Sequence, residues 1–209
     1  QSVEELRNEG FAVVSIDYRV SQEGAVMREI ITDCFDAARY IAHYSEAFGV
    51  DSNAFYVSGH SAGGHLALMV AYAPQENFAD GYEFSDKFFV KAVAPMSPPT
   101  ILYDTTTHNL HGEINKAFSG CNTKEEKEET SPITYVSENC PPTLLMAGTS
   151  DYLVFSKSSE KSPFINVDID KFGKAASFLR SVLFISISFF MIALHISQNI
   201  SKNSIFKPS

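Results

Sequence analysis

Tryptophan is missing from the 209 residues, cysteine occurs three times and glycine eleven, and 16 basic side chains face 25 acidic ones. Each shortage closes a class. Cys34, Cys121 and Cys140 are far apart and odd in number, which argues against a disulfide framework or a zinc ribbon. They read as buried thiols acting as small hydrophobes, and they fit a reducing compartment. Eleven glycines are too few for collagen, and 44% hydrophobic residues are too many for a disordered chain. A net charge of −9 with no large basic patch speaks against nucleic acid, whose phosphates would be repelled. No basic stretch leads into an apolar run at the start, so Ser2 to Gly10 reads as a short helix with capping-box spacing (Ser2, Glu5) and not as a signal peptide.

What is present is unevenly shared. Residues 1–155 hold 9 basic and 22 acidic side chains, whereas residues 156–209 hold 7 and 3. The length suits one domain with an appendage, and the charge break predicts a core at 1–155 and a divergent tail at 156–209. Within the tail, residues 181–201 carry no formal charge, and Val182 to Leu194 is apolar except for Ser186 and Ser188. A membrane span needs about 20 mostly apolar residues. Three readings of segment 178–201 therefore stand: a span or membrane-surface segment, a buried helix or strand pair, and a non-native tail. The core is expected to be cytoplasmic, and the protein membrane-associated if that segment inserts.

Along the core, strands and helices alternate. Phe11 to Ile16 is an apolar run broken only by Ser15, read as a strand buried on both faces. Ile30, Cys34, Ala37, Ala38, Ile41 and Ala42 recur at helical spacing, with Asp33, Arg39 and His43 off the stripe. Gly49 stops that helix. Ala54–Ser58 predicts a second strand, Ala62–Tyr72 a second helix, and Val90–Pro95 and Thr143–Ala147 two more strands. The alternation implies an α/β fold with a mostly parallel sheet flanked by helices. Residues 97–142 read as loops with short helices, and Lys124 to Glu129 as a solvated helix face.

The chemistry concentrates at Gly59-His60-Ser61-Ala62-Gly63. A predicted strand runs into this pentapeptide and a predicted helix runs out, the setting a nucleophile elbow requires. So tight a turn leaves little room for side chains beside the serine. It would lift Ser61 above the sheet at a helix N-terminus, with the Ala62 N–H as an oxyanion donor. The alternative is a glycine-rich turn with a bystander serine. A serine hydroxyl needs a base, and the base an orienting acid. Asp151 suits the acid, because it follows the Thr143–Ala147 strand through Gly148-Thr149-Ser150, at the carboxyl end where sites on such sheets lie. A solvent-facing turn aspartate is the other reading.

Val14-Ser15-Ile16-Asp17-Tyr18-Arg19, Gly59 to Ala67 (GHSAGGHLA), Ser131-Pro132 and Gly148 to Val154 (GTSDYLV) occur in this order. From about Gly10 to Phe155 the chain resembles the α/β-hydrolase fold, in its carboxylesterase and feruloyl-esterase-like branch. The resemblance implies Ser61 as nucleophile and Asp151 as triad acid, a small-molecule ester as substrate, and no metal or cofactor. Members carry a His-Gly-Gly oxyanion loop before the Phe11 strand and a catalytic histidine in a Gly-rich loop after the acid. Here residues 1–10 hold no such loop, and the one histidine after Asp151 is His195, in the apolar stretch Ala193-Leu194-His195-Ile196. The expectation is a hydrolase core incomplete at both ends, with His195 as the candidate base. Two functions follow: a serine hydrolase of carboxylic esters, or a non-catalytic or truncated hydrolase-like protein, with or without membrane attachment through 178–201.

Overall fold

A computed structural model describes residues 2–79, 84, 86–102, 120–146 and 190–196. Helix α1 (Ser2–Asn8) ends at Gly10, whose φ of +84° lies in the left-handed region that glycine enters without a Cβ penalty. That turn feeds strand β1 (Phe11–Ile16). Helix α2 (Met27–His43) follows, starting where the Glu29 carboxylate accepts the Val26 N–H at 3.0 Å. The short α3 (Ser45–Phe48) closes on Gly49, and strand β2 (Val50–His60) runs to the elbow. Helix α4 (Ala62–Tyr72), strand β3 (Val90–Met96), helix α5 (Lys124–Glu129) and strand β4 (Phe190–Ile196) complete the described elements.

The sheet order is β1-β4-β2-β3. Strands β2 and β3 are parallel, and β4 runs antiparallel to both β1 and β2. So β1, β2 and β3 point one way, with β4 reversed between two of them. Alternating residues serve opposite faces, as a period of two requires. Phe55 and Val57 of β2, with Ile192 and Leu194 of β4, enter the core under α2 and α4; Phe11 and Tyr56 enter a smaller core with Leu6 of α1, Ala92, Ala94 and Leu144. Phe35 of α2 stacks on Phe78 with centroids 5.3 Å apart, adding aromatic attraction to area burial.

Four expectations need correction. Strand β1 is half-buried along most of its length, because it lies at one edge of the sheet among the described residues. Arg39, placed off the apolar stripe of α2, is 4% exposed. Its guanidinium donates to Asp36 Oδ1 at 2.8 Å and to the Phe78 and Gln75 carbonyls at 2.8 and 2.5 Å, so burial is balanced by a carboxylate and two carbonyls. The third concerns segment 178–201. Its described part, β4, is a strand hydrogen-bonded on both edges, and among the described residues no helix is long and apolar enough to cross a membrane. The membrane reading thus gains no support, and seven residues assigned to a tail lie inside the sheet of the core. The Thr143–Ala147 strand is shortened to isolated parallel bridges, Thr143 with Val93 and Met146 with Met96, while Ala147 lies outside the described residues.

Candidate active site

Strand β2 delivers the pentapeptide to the carboxyl end of the sheet, and α4 departs from it at once. Ser61 stands between them with φ 53° and ψ −115°, a positive φ that a residue with a Cβ adopts only under strain. What holds it there is visible in the backbone. The Ser61 N–H donates to the Met96 carbonyl of β3 at 2.8 Å, and the Ser61 carbonyl accepts the His65 N–H at 3.0 Å, the first bond of α4. Gly64 permits the packing: a Cβ there would lie 3.0 Å from the Gly59 carbonyl oxygen and 3.1 Å from that of Met96. Two backbone oxygens cannot step aside as a flexible side chain can.

Ser61 and Ala62 are half-buried while residues 63–70 behind them are buried, so the serine sits at the rim of the packed body. Ala62 heads α4, where the leading N–H groups have no intrahelical acceptor and the helix dipole favours negative charge. Among the described residues no side chain is hydrogen-bonded to Ser61 Oγ.

The histidines divide by environment. His65 is fully buried with Nδ1 2.9 Å from the Pro99 carbonyl. Because a carbonyl only accepts, Nδ1 carries the proton. Burial pushes its pKa down to about 4 against the opposing effect of that hydrogen bond, so the ring is neutral at pH 7. His43 lies at the exposed end of α2, paired with Asp86 at 2.8 Å. The Nδ1 of His60 is buried with no partner among the described residues.

His195 is set apart by strand register. Phe190 is the β4 residue level with Gly59, whereas His195 pairs with Phe11 at the start of β1. Five residues of extended strand separate them, roughly 17 Å at about 3.4 Å per residue. The register therefore does not bring His195 to Ser61; it lies at the end of the sheet away from the elbow. Asp151, His108 and His111 lie outside the described residues.

Two features escaped the sequence reading. Ser97, at the end of β3, is the other described non-glycine residue with positive φ, 45°. A serine after a strand carries no local signal of such strain. An apolar groove of about 530 Å³ also opens between the sheet and α2, lined by Val14, Ile16, Ile41, Val50 and Leu194 with Tyr40 and Phe48 at its rim. Ser61 does not line it.

Comparison with known proteins bears on family and fold. The BD-FAE family model matches residues 1–162. The probable carboxylic ester hydrolase LipM of Mycobacterium tuberculosis is 30% identical over 155 residues, covering 69% of this chain and 35% of LipM. The probable isoprenylcysteine alpha-carbonyl methylesterase ICME of Oryza sativa subsp. japonica is 27% identical, over 74% of this chain and 40% of that protein. The chain thus spans well under half the length of these curated relatives. Among solved structures, a truncated carbohydrate esterase from gut microbiota superposes with a TM-score of 0.63 at 21% identity, over 83% of this chain and 65% of that one. Propionate-bound esterase 2 of Thermogutta terrifontis gives 0.55 at 20% identity, over 82% and 72%. These two likenesses are of fold.

Proposed function

Since the chain belongs to the BD-FAE family of α/β-hydrolase proteins, we propose that it is a serine hydrolase of carboxylic esters acting through an acyl-enzyme on Ser61. The observation that carries the reading is the elbow: a serine strained to φ 53° between a central strand and the N-terminus of α4. In the proposed reaction Ser61 Oγ attacks the ester carbonyl carbon and its proton passes to a general base. The carbonyl oxygen becomes an oxyanion that accepts the Ala62 N–H. Loss of one such donor typically lowers the rate about 10²–10³-fold. Collapse of the tetrahedral intermediate expels the alcohol, which takes the proton from the base. Water then attacks the acyl-serine by the same route, releasing the acid and restoring Ser61. Asp151 is proposed as the acid that orients the base.

A second reading is a hydrolase-like body that binds a ligand without turnover. The observation favouring it is the separation of His195 from Ser61, which leaves that pair without proton transfer. Reaction with a fluorophosphonate probe decides between the two, with p-nitrophenyl acetate hydrolysis measured alongside. Rapid labelling of the wild type that is lost in Ser61→Ala is expected. A cooperatively folded wild type that neither labels nor hydrolyses the ester would overturn the hydrolase reading in favour of the binding one.

A further inference from the structure

An irregular segment buried along its length must find partners for its backbone polar groups, because an orphaned one costs about as much as a lost hydrogen bond. Residues 97–102, leaving β3, form such a segment: Ser97 is half-buried and Pro98 to Leu102 are buried. Its tethers include these three bonds. The Leu102 N–H donates to Ser131 Oγ at 2.8 Å, the Ile133 N–H donates to the Thr100 carbonyl at 3.2 Å, and His65 Nδ1 donates to the Pro99 carbonyl at 2.9 Å. Of these three, the His65 tether alone runs to the helix that begins at Ser61.

The segment also stands beside the elbow. Strands β2 and β3 are parallel and pair His60 with Met96, so Ser61 and Ser97 leave the sheet as neighbours at one level. Both carry positive φ, and the Ser97 N–H is bonded in turn to the Met146 carbonyl at 2.7 Å. Pro98 packs on the first turn of α4, its Cβ 3.3 Å from where a Gly64 Cβ would be. With two consecutive prolines and buried neighbours, this stretch has little freedom except as its tethers allow.

We propose that His65 is a positioning residue of the ester-hydrolase site: its bond to Pro99 fixes the 97–102 segment as the wall against which the group bound at Ser61 is laid. This rests on the reading of Ser61 as nucleophile. The neutral state that burial imposes on the ring suits the role, since the donor at Nδ1 is then a fixed tautomer.

The test uses His65→Leu, which removes the donor, and His65→Asn, whose amide N–H can replace it. Both are assayed with p-nitrophenyl butyrate, with active sites counted by fluorophosphonate titration so that misfolded molecules drop out. His65→Leu is expected to raise KM about tenfold with kcat within about threefold, and His65→Asn to recover most of the loss. A His65→Leu enzyme of unchanged KM, or a His65→Asn enzyme no better than it, would overturn the proposal while leaving Ser61 as nucleophile. A wild type inert to the probe would overturn the hydrolase reading and this proposal together. Should His65→Leu fail to fold, the imidazole nitrogens of the wild type decide by NMR: a proton on Nδ1 supports the tether, and one on Nε2 alone refutes it.

Discussion

Replacing Ser61 by glycine should stabilise this protein while removing its proposed nucleophile. Ser61 holds φ 53° and ψ −115°, a conformation that costs a residue with a Cβ about 1–3 kcal/mol. Glycine relieves that strain but loses more backbone freedom on folding, about 0.5–1 kcal/mol. The serine side chain caps no N–H of α4, so removing the hydroxyl costs no capping bond. The balance favours Ser61→Gly by about 0.5–2 kcal/mol, or roughly 1–8 °C in Tm for a chain of this size. Ser61→Ala is the control, because it removes the same hydroxyl and keeps the Cβ; it should lie within about 0.5 kcal/mol of wild type. Thermal and urea unfolding of all three, followed by far-UV circular dichroism at one pH, give the comparison. If Ser61→Gly is no more stable than Ser61→Ala, the elbow stores no backbone strain and the reasoning fails. A gain would place Ser61 among residues kept for activity at a cost in stability.

Gly64→Ala tests the same knot from the other side. Alanine is normally favoured in a helix by about 1 kcal/mol, yet here its Cβ would meet two backbone oxygens at 3.0 and 3.1 Å. A net loss of about 1 kcal/mol in urea unfolding is expected, together with slower fluorophosphonate labelling; a variant more stable than wild type would show that the elbow yields easily. The pH dependence of stability follows from His65, whose pKa falls from 6.5 to about 4 on folding. Between those values the unfolded chain binds the additional proton, so stability is complete above about pH 6.5 and is lost as the pH falls toward 4, by at most about 3 kcal/mol. His65→Asn should flatten that part of the profile. An unchanged slope in the variant would assign the acid loss to other groups.

The elements that chemistry depends on most were legible along the chain. The boundaries of β1 and α4 coincide with those read from apolar runs and turn residues, because a buried strand and a helix each declare themselves through nearest neighbours. The elbow is local in the same sense: small residues flank one serine between a strand and a helix, and nothing distant is needed to recognise it. Helix α2 was likewise written in its stripe, apart from Arg39. Whether an arginine is exposed or buried depends on partners such as the Phe78 carbonyl, 39 positions away, and no periodicity reports those.

Strand β4 shows the other limit. Its apolar composition announced burial, but a membrane, a helix and a sheet all accommodate six apolar residues and one histidine. What selects the sheet is that β1 and β2 each offer a backbone edge to it, with Ile192 and Leu194 filling the core beneath α2 and α4. Chain order alone allowed His195 to serve Ser61, whereas pairing with Phe11 sets it at the far end of the strand. The sequence by itself determined the alternating α/β plan, the elbow and its serine, since those arise from interactions along a few residues. Only the tertiary structure decided which strand fills the middle of the sheet, where His195 stands and what His65 holds, because hydrogen-bond register between distant segments leaves no trace in local pattern.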